Sequence, residues 1–184
     1  MARLPLTSEA FREVASRYAS GVVVATTQSD GFDHAMTATS FTTVSLDPML
    51  VLVCVEQDTR FHDALCPDGP IGLDPAGSEW AISVLAATEQ PAASWFATKG
   101  RPLHGQFGRF AHSRGEVTGN VLLDNALAAM EVRTISSQPF GDHTIVIGQV
   151  LSLEVSNGQV DEESDRNGDW PLTYWARRYR NLDH

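Results

Sequence analysis

The chain has 184 residues, 42% of them hydrophobic, and a formal net charge of −10. That length suits a single domain over 1–184, able to bury about two thirds of its unfolded surface. The acidic balance argues against a nucleic-acid or anionic-membrane partner, because phosphate backbones need a basic face. No run of eighteen apolar residues and no secretory h-region is present, so the expected compartment is the cytoplasm, without a membrane partner.

Ser8 is placed to cap a first helix, with Phe11, Val14, Ala15 and Tyr18 on one face. Ser20-Gly21 then stops it. Val22 to Thr27 is a β-branched run, Ser29-Asp30-Gly31 supplies a turn, and the stretch to Phe41 completes a hairpin. After a second turn, Ser45-Leu46-Asp47-Pro48, Met49 to Val55 is apolar throughout, the pattern of a strand covered on both faces. Thr59 can cap a short helix carrying Phe61, Ala64 and Leu65. Trp80 to Ala87 reads as a strand, and Thr88 is placed to cap a helix that takes Pro91 in its first turn and runs to Phe96.

Residues 99–120 are rich in Gly, His and Arg without a period, which marks a functional or mobile loop. Strand character returns at Leu127 to Ser136 and at Thr144 to Val155, where Gln149, Ser152 and Glu154 mark a solvent face. A turn at Ser156-Asn157-Gly158 and an acidic loop at 161–169 precede an aromatic, basic tail from Pro171 to Leu182. Six or seven strands, two or three short helices and no alternating rhythm predict a mainly β fold with peripheral helices, an antiparallel barrel.

The familiar catalytic signatures are missing. There is no G-x-G-x-x-G, no G-x-x-x-x-G-K-[ST], no H-E-x-x-H and no G-x-S-x-G. Cys54 and Cys66 lack metal-ligand spacing and read as buried or partly buried thiols, so no metal site is expected. Lys99 is the only lysine; Arg60, Arg101 and the trio Arg177, Arg178 and Arg180 are the other cations available to an anionic ligand.

Four segments in order carry a resemblance. Phe11 to Gly21 leads into Val22-Val23-Val24-Ala25-Thr26-Thr27; Thr37-Ala38-Thr39-Ser40-Phe41 precedes Val44-Ser45-Leu46-Asp47-Pro48. Gly141-Asp142-His143 opens Ile145 to Val150, and Pro171-Leu172-Thr173-Tyr174 is followed by Tyr179-Arg180. Together they resemble the flavin reductase-like family of FMN-binding split β-barrels, the short-chain NAD(P)H:flavin oxidoreductases of two-component monooxygenases. The resemblance implies reduction of FMN or FAD by NADH or NADPH, a homodimer whose second subunit completes the pocket, and a flavin-dependent monooxygenase component that receives reduced flavin. It departs at Thr39, where the family often has Asn; a hydroxyl loses the amide's paired donor and acceptor.

Under that resemblance Thr37, Ala38, Thr39 and Ser40 form a small, hydroxyl-rich cradle for the flavin, with Thr39 and Ser40 reaching polar atoms or phosphate. Glu56, Gln57, Thr59 and Arg60 follow the apolar strand at a barrel rim, where Thr59 and Arg60 either bind an anion or form a plain N-cap beside a solvated arginine. Lys99 and Arg101 are further cations for the same phosphate. His143, the candidate catalytic residue, is expected at the rim, donating a hydrogen bond to nicotinamide or flavin; the plainer alternative is a turn histidine. Tyr174, with Trp170, Trp175 and Tyr179, offers a stacking wall or a clasp on a dimer partner. Two other functions stand beside the reductase: a protein with tightly held FMN that passes electrons to a protein partner or is non-catalytic, and an interaction module using the tail.

Overall fold

The computed structural model describes residues 3–67, 77–156 and 170–181. Helix α1 (Ser8–Ala15) is capped by Thr7, one residue before the expected Ser8; its hydroxyl accepts from the Ala10 N–H at 3.2 Å. Thr7 has the extended backbone an N-cap requires, whereas Ser8 is already helical. The apolar face of α1 is uncovered, with Phe11 74% and Val14 61% exposed. Ser20–Gly21 is a short strand, β1, rather than a helix stop.

Strands β2 (Val23–Ser29) and β3 (Phe32–Ala38) form the expected hairpin, turned by Asp30 and Gly31 at φ 52° and 75°. Asp and Gly tolerate that left-handed backbone best. A second hairpin joins β4 (Thr42–Leu46) to β5 (Met49–Glu56). Helix α2 (Arg60–Leu65) starts at Thr59, whose hydroxyl accepts from the His62 N–H, and buries Phe61, Ala64 and Leu65 as expected. After β6 (Glu79–Leu85), Thr88 lies within a 3-10 turn, Ala87–Glu89, and caps nothing; α3 (Gln90–Ala97) begins without a side-chain cap. Pro91 in its first turn removes one N–H that would need one.

The chain continues through β7 (His112–Arg114), β8 (Val121–Leu123), β9 (Ala126–Phe140), β10 (His143–Val155), β11 (Thr173–Trp175) and β12 (Arg178–Arg180). The acidic loop expected at 161–169 and all but the first residue of the 156–158 turn lie outside the described residues. The main sheet has seven antiparallel strands in the order β3-β2-β6-β9-β10-β5-β4. It curls around Val23, Ala25, Val51, Val53, Val55, Trp80, Ile82, Val132 and Val146, and Phe61 and Leu65 of α2 pack into the same core. Its two edges are stitched by Ser40, just past β3: the Ser40 hydroxyl donates to the Cys54 carbonyl and accepts from the Cys54 N–H, each at 3.1 Å. Cys54 lies beyond the last β4 pairing at Leu52, so its backbone would otherwise lack a partner on that side.

A second core lies outside the sheet. Val22, Val24 and Leu85 are covered there by Phe96 of α3 and by Phe107, Val121 and Leu123. Part of the 99–120 segment packs as cover: Phe107 stacks obliquely on Phe96 at 5.0 Å, and Gln106 is buried. Glu131, buried on β9, pins its far end by accepting from the Val117 and Thr118 N–H groups and from the Thr118 hydroxyl at 2.7 Å. Burial pulls the Glu131 carboxyl up, but these bonds outweigh it and hold it below its usual value. β5 differs from expectation. Val51, Val53 and Val55 are buried, whereas Leu50, Leu52 and Cys54 on the other face are only half-buried and belong to no packed core among the described residues.

Candidate functional site

A cavity of about 460 Å³ opens where β3 ends, β5 meets α2, and α3 gives way to the turn at Thr98–Arg101. That is within the range of small-ligand sites. Of the residues singled out in the sequence, Thr37, Ala38, Thr39, Ser40, Glu56, Thr59, Arg60, Lys99 and His143 all line it. The curl of the sheet achieves this by bringing β3 and β5 to one wall.

The four hydroxyls do different work. Thr37 donates to the Ala93 carbonyl at 2.7 Å and ties β3 to α3. Ser40 is committed to Cys54. Thr59 donates to the Glu56 carbonyl at 2.8 Å while capping α2. Thr39 is exposed and has no hydrogen bond to another described side chain or backbone group, so its hydroxyl is the one available to a ligand.

The cations divide in the same way. Lys99 is held by Glu56 at 2.8 Å, a bond that raises its pKa; it is a weaker phosphate ligand than its charge suggests. Arg60 donates to the Arg101 carbonyl at 2.6 Å. Arg101 is half-buried and anchored: Nε donates to Gln106 Oε1 at 3.0 Å, and the terminal nitrogens donate to the carbonyls of Phe96, Thr98 and Ala35. Burial, and then repulsion from Arg60, push its pKa down to about 10, so it stays charged at neutral pH. No carboxylate pairs with either guanidinium among the described residues. Burial likewise lowers the His34 imidazole, and Arg60 adds to that. Two guanidiniums without a paired carboxylate among the described residues thus lie side by side in the cavity wall.

His143 follows Gly141, which takes φ +63° in the β9–β10 turn, and reaches the cavity from the rim as expected. Its Nδ1 lies 2.7 Å from Asp142 Oδ1.

Two expectations fail within this chain. Gln57 does not line the cavity: its side chain donates to the His143 carbonyl at 3.1 Å and its N–H to the Asp142 carbonyl at 3.0 Å. Tyr174 is also absent from the lining, because β11 pairs with β1, placing Tyr174 opposite Ser20 and packing its ring on Tyr179 against the outer core. The sequence reading missed His34, Met36, Phe61 and Phe96 as lining residues. Each was visible only as part of a strand or helix pattern; their convergence depends on sheet curvature.

The fold is an antiparallel barrel with a mixed cationic and hydroxyl cavity at its open edge. The sequence profile of the flavin reductase like domain matches residues 15–183, and the chain belongs to that family. The NADH-dependent flavin reductase of a Rhodococcus species is 31% identical over 175 residues, covering 94% of this chain and 85% of its own. The reductase component of 4-hydroxyphenylacetate 3-monooxygenase from Thermus thermophilus is 34% identical over 174 residues, covering 95% and 96%. Among solved structures, BorF, the flavin reductase component of a bacterial two-component tryptophan halogenase, matches with TM-score 0.80 at 36% identity, over 97% of this chain and 99% of its own. The NADH:FAD oxidoreductase SgcE6 of Streptomyces globisporus, in complex with NAD and FAD fragments, matches with TM-score 0.81 at 30% identity, over 99% and 98%.

Proposed function

We propose that this chain is an NAD(P)H:flavin oxidoreductase that reduces FMN or FAD and passes the reduced flavin to a flavin-dependent monooxygenase component. The observation that carries the reading is the carboxylate-free pair Arg60 and Arg101, in the same cavity as Thr39 and His143. Such a pair fits the phosphate that every flavin nucleotide carries.

In this reading Arg60 holds the phosphate, Arg101 adds its charge and its one uncommitted N–H, and Thr39 meets a polar edge of the ring system. Small residues at Ala35 and Ala38 let backbone approach it. Bound flavin supplies the chemistry, accepting a hydride from the nicotinamide cofactor. The chain's own task is to position both partners and exclude water, and His143 faces the nicotinamide side.

The protein acts as a single-domain homodimer in the cytoplasm. The half-buried Leu52, Ile145 and Ile147 on the uncovered face of β5 and β10 support a second copy, as does α1, which buries none of its residues. Among the described residues no helix is long and apolar enough to cross a membrane.

The test is to mix the purified protein with FMN or FAD and NADH or NADPH in all four pairs and follow the nicotinamide absorbance. Turnover with excess free flavin is expected. A tightly held flavin reduced once, without turnover, would instead favour an electron carrier.

A further inference from the structure

Three hydrogen bonds hold the Asp142-His143 pair in place, and none is supplied by another residue that lines the cavity. Asp142 Oδ1 lies 2.7 Å from Nδ1. The Gln57 side chain donates to the His143 carbonyl, and the Gln57 N–H donates to the Asp142 carbonyl. Gln57 thus grips the backbone carbonyls on both sides of the His143 Cα, while Asp142 grips the ring.

The chemistry of the Asp142 contact fixes its direction. The hydrogen bond from His143 is the largest cause holding the Asp142 carboxyl below its ordinary value. The carboxylate is therefore ionised at neutral pH and can only accept. Nδ1 must carry the hydrogen. In a neutral imidazole one nitrogen donates and the other accepts, so Nε2 is left as a bare lone pair. Nε2 has no partner among the described residues, and His143 lines the cavity. This reverses the polarity expected from sequence, where the ring was to donate.

We propose that Asp142 and Gln57 are positioning residues that present the His143 ring, in its neutral form, to the cavity as an acceptor at Nε2, to receive an N–H from the ligand. On the nicotinamide side, the matching donor is the primary carboxamide. The inference rests on the reductase reading for its ligand, while the tautomer is a property of the chain alone.

The experiment has two arms. Long-range proton–nitrogen NMR of the ligand-free protein reads the tautomer of His143, assigned by the signals lost in His143→Ala, at a pH where the imidazole is neutral. Protonated Nδ1 and bare Nε2 are expected in the wild type, with conversion towards the Nε2–H form in Asp142→Ala. The second arm compares Michaelis constants for NADH and for the reduced 3-acetylpyridine analogue, whose methyl ketone lacks the N–H. The wild type should favour NADH by about three- to tenfold, the effect of one neutral hydrogen bond. That preference should collapse towards one in Asp142→Ala and His143→Ala, and narrow in Gln57→Ala. The analogue's different intrinsic reactivity cancels when ratios are compared between variants.

Asp142 is 92% exposed, so its truncation should leave the melting temperature near wild type. An Nε2-protonated ring in the wild type, or an unchanged tautomer in Asp142→Ala, overturns the positioning role. A preference that survives both Asp142→Ala and His143→Ala overturns the acceptor role. If no NAD(P)H is consumed with either flavin, the reductase reading fails and takes the carboxamide assignment with it, while the NMR arm still decides the tautomer.

Discussion

The stretch Val22–Thr27 and strand β5 are both continuous apolar or β-branched runs, yet the fold treats them differently. Val23 and Ala25 point into the barrel while Val22 and Val24 lie under Phe96, Phe107 and Leu123. Even the hydroxyls there are paired inward, Thr26 donating to the Val121 carbonyl at 2.6 Å. In β5, Val51, Val53 and Val55 fill the same barrel, but Leu50, Leu52 and Cys54 are half-buried and join no packed core among the described residues. An apolar run states that both faces want cover; it does not state whose atoms provide it. For Val22–Thr27 the cover comes from α3 and residues 107–123, and for β5 it has to come from elsewhere.

The largest effect should come from charging the doubly covered strand. Val24 is fully buried in the outer core, so Val24→Asp places an unpaired carboxylate in an apolar layer. The expected loss is about 3–5 kcal/mol in a urea titration, or failure to fold. A wild-type midpoint would mean that α3 and residues 107–123 do not cover this face. The barrel side of β10 has equally little slack. A Cβ on Gly148 would come within 2.3 Å of Val132 Cγ1, 2.9 Å of Trp80 Cζ2 and 3.1 Å of the Arg133 carbonyl. Val132 is stiff at χ1 and Trp80 is fully buried, so Gly148→Ala is expected to cost about 1–3 kcal/mol by the same titration.

The other face of β5 should respond in the opposite way. Leu52 pairs with Ile147, both half-buried on the uncovered side. Leu52→Asp should leave the protomer folded, with little change in its circular dichroism, but shift light scattering from dimer to monomer. If the pocket is completed by the second copy, flavin affinity should fall in the same variant. A Leu52→Asp protein that remains dimeric would move the interface off this sheet face and leave the asymmetry between the two strands unexplained.

Features set by a few neighbouring residues were legible in the sequence. The Asp30-Gly31 turn, the Thr59 cap with Phe61, Ala64 and Leu65 beneath it, and the rim position of His143 after Gly141 all follow from local backbone chemistry. Most of the candidate site was legible too, but through the resemblance rather than through spacing. What stayed hidden was the commitment of polar atoms. Gln57 faces the backbone of residues 142 and 143, and Arg101 is anchored by backbone carbonyls from two separate segments, Ala35 on β3 and Phe96 and Thr98 at the end of α3. Neither arrangement leaves a trace in a one-dimensional pattern, because it is set by which strands the sheet brings side by side. Tyr174 failed for the same reason: its pairing with Ser20 is decided by the meeting of the two chain ends.

The smallest effects separate two neighbours that look interchangeable in the sequence. Thr39 and Ser40 both line the cavity, but only Ser40 is tied to the fold, through its paired bonds to Cys54 across the sheet's open edges. Removing the Ser40 hydroxyl leaves the Cys54 N–H and carbonyl without that partner, so Ser40→Ala should lower stability by about 1–3 kcal/mol, with any loss of flavin affinity following from a loosened edge. Thr39→Ala removes a hydroxyl that supports nothing in the protein. Its melting temperature should be unchanged, and its flavin dissociation constant should rise by the worth of one bond, about 0.5–1.5 kcal/mol. Measuring both quantities on both variants resolves the roles. If Thr39→Ala binds flavin as the wild type does, the free hydroxyl is not a ligand contact, and the polar edge of the flavin must be met by backbone groups of residues 37–40.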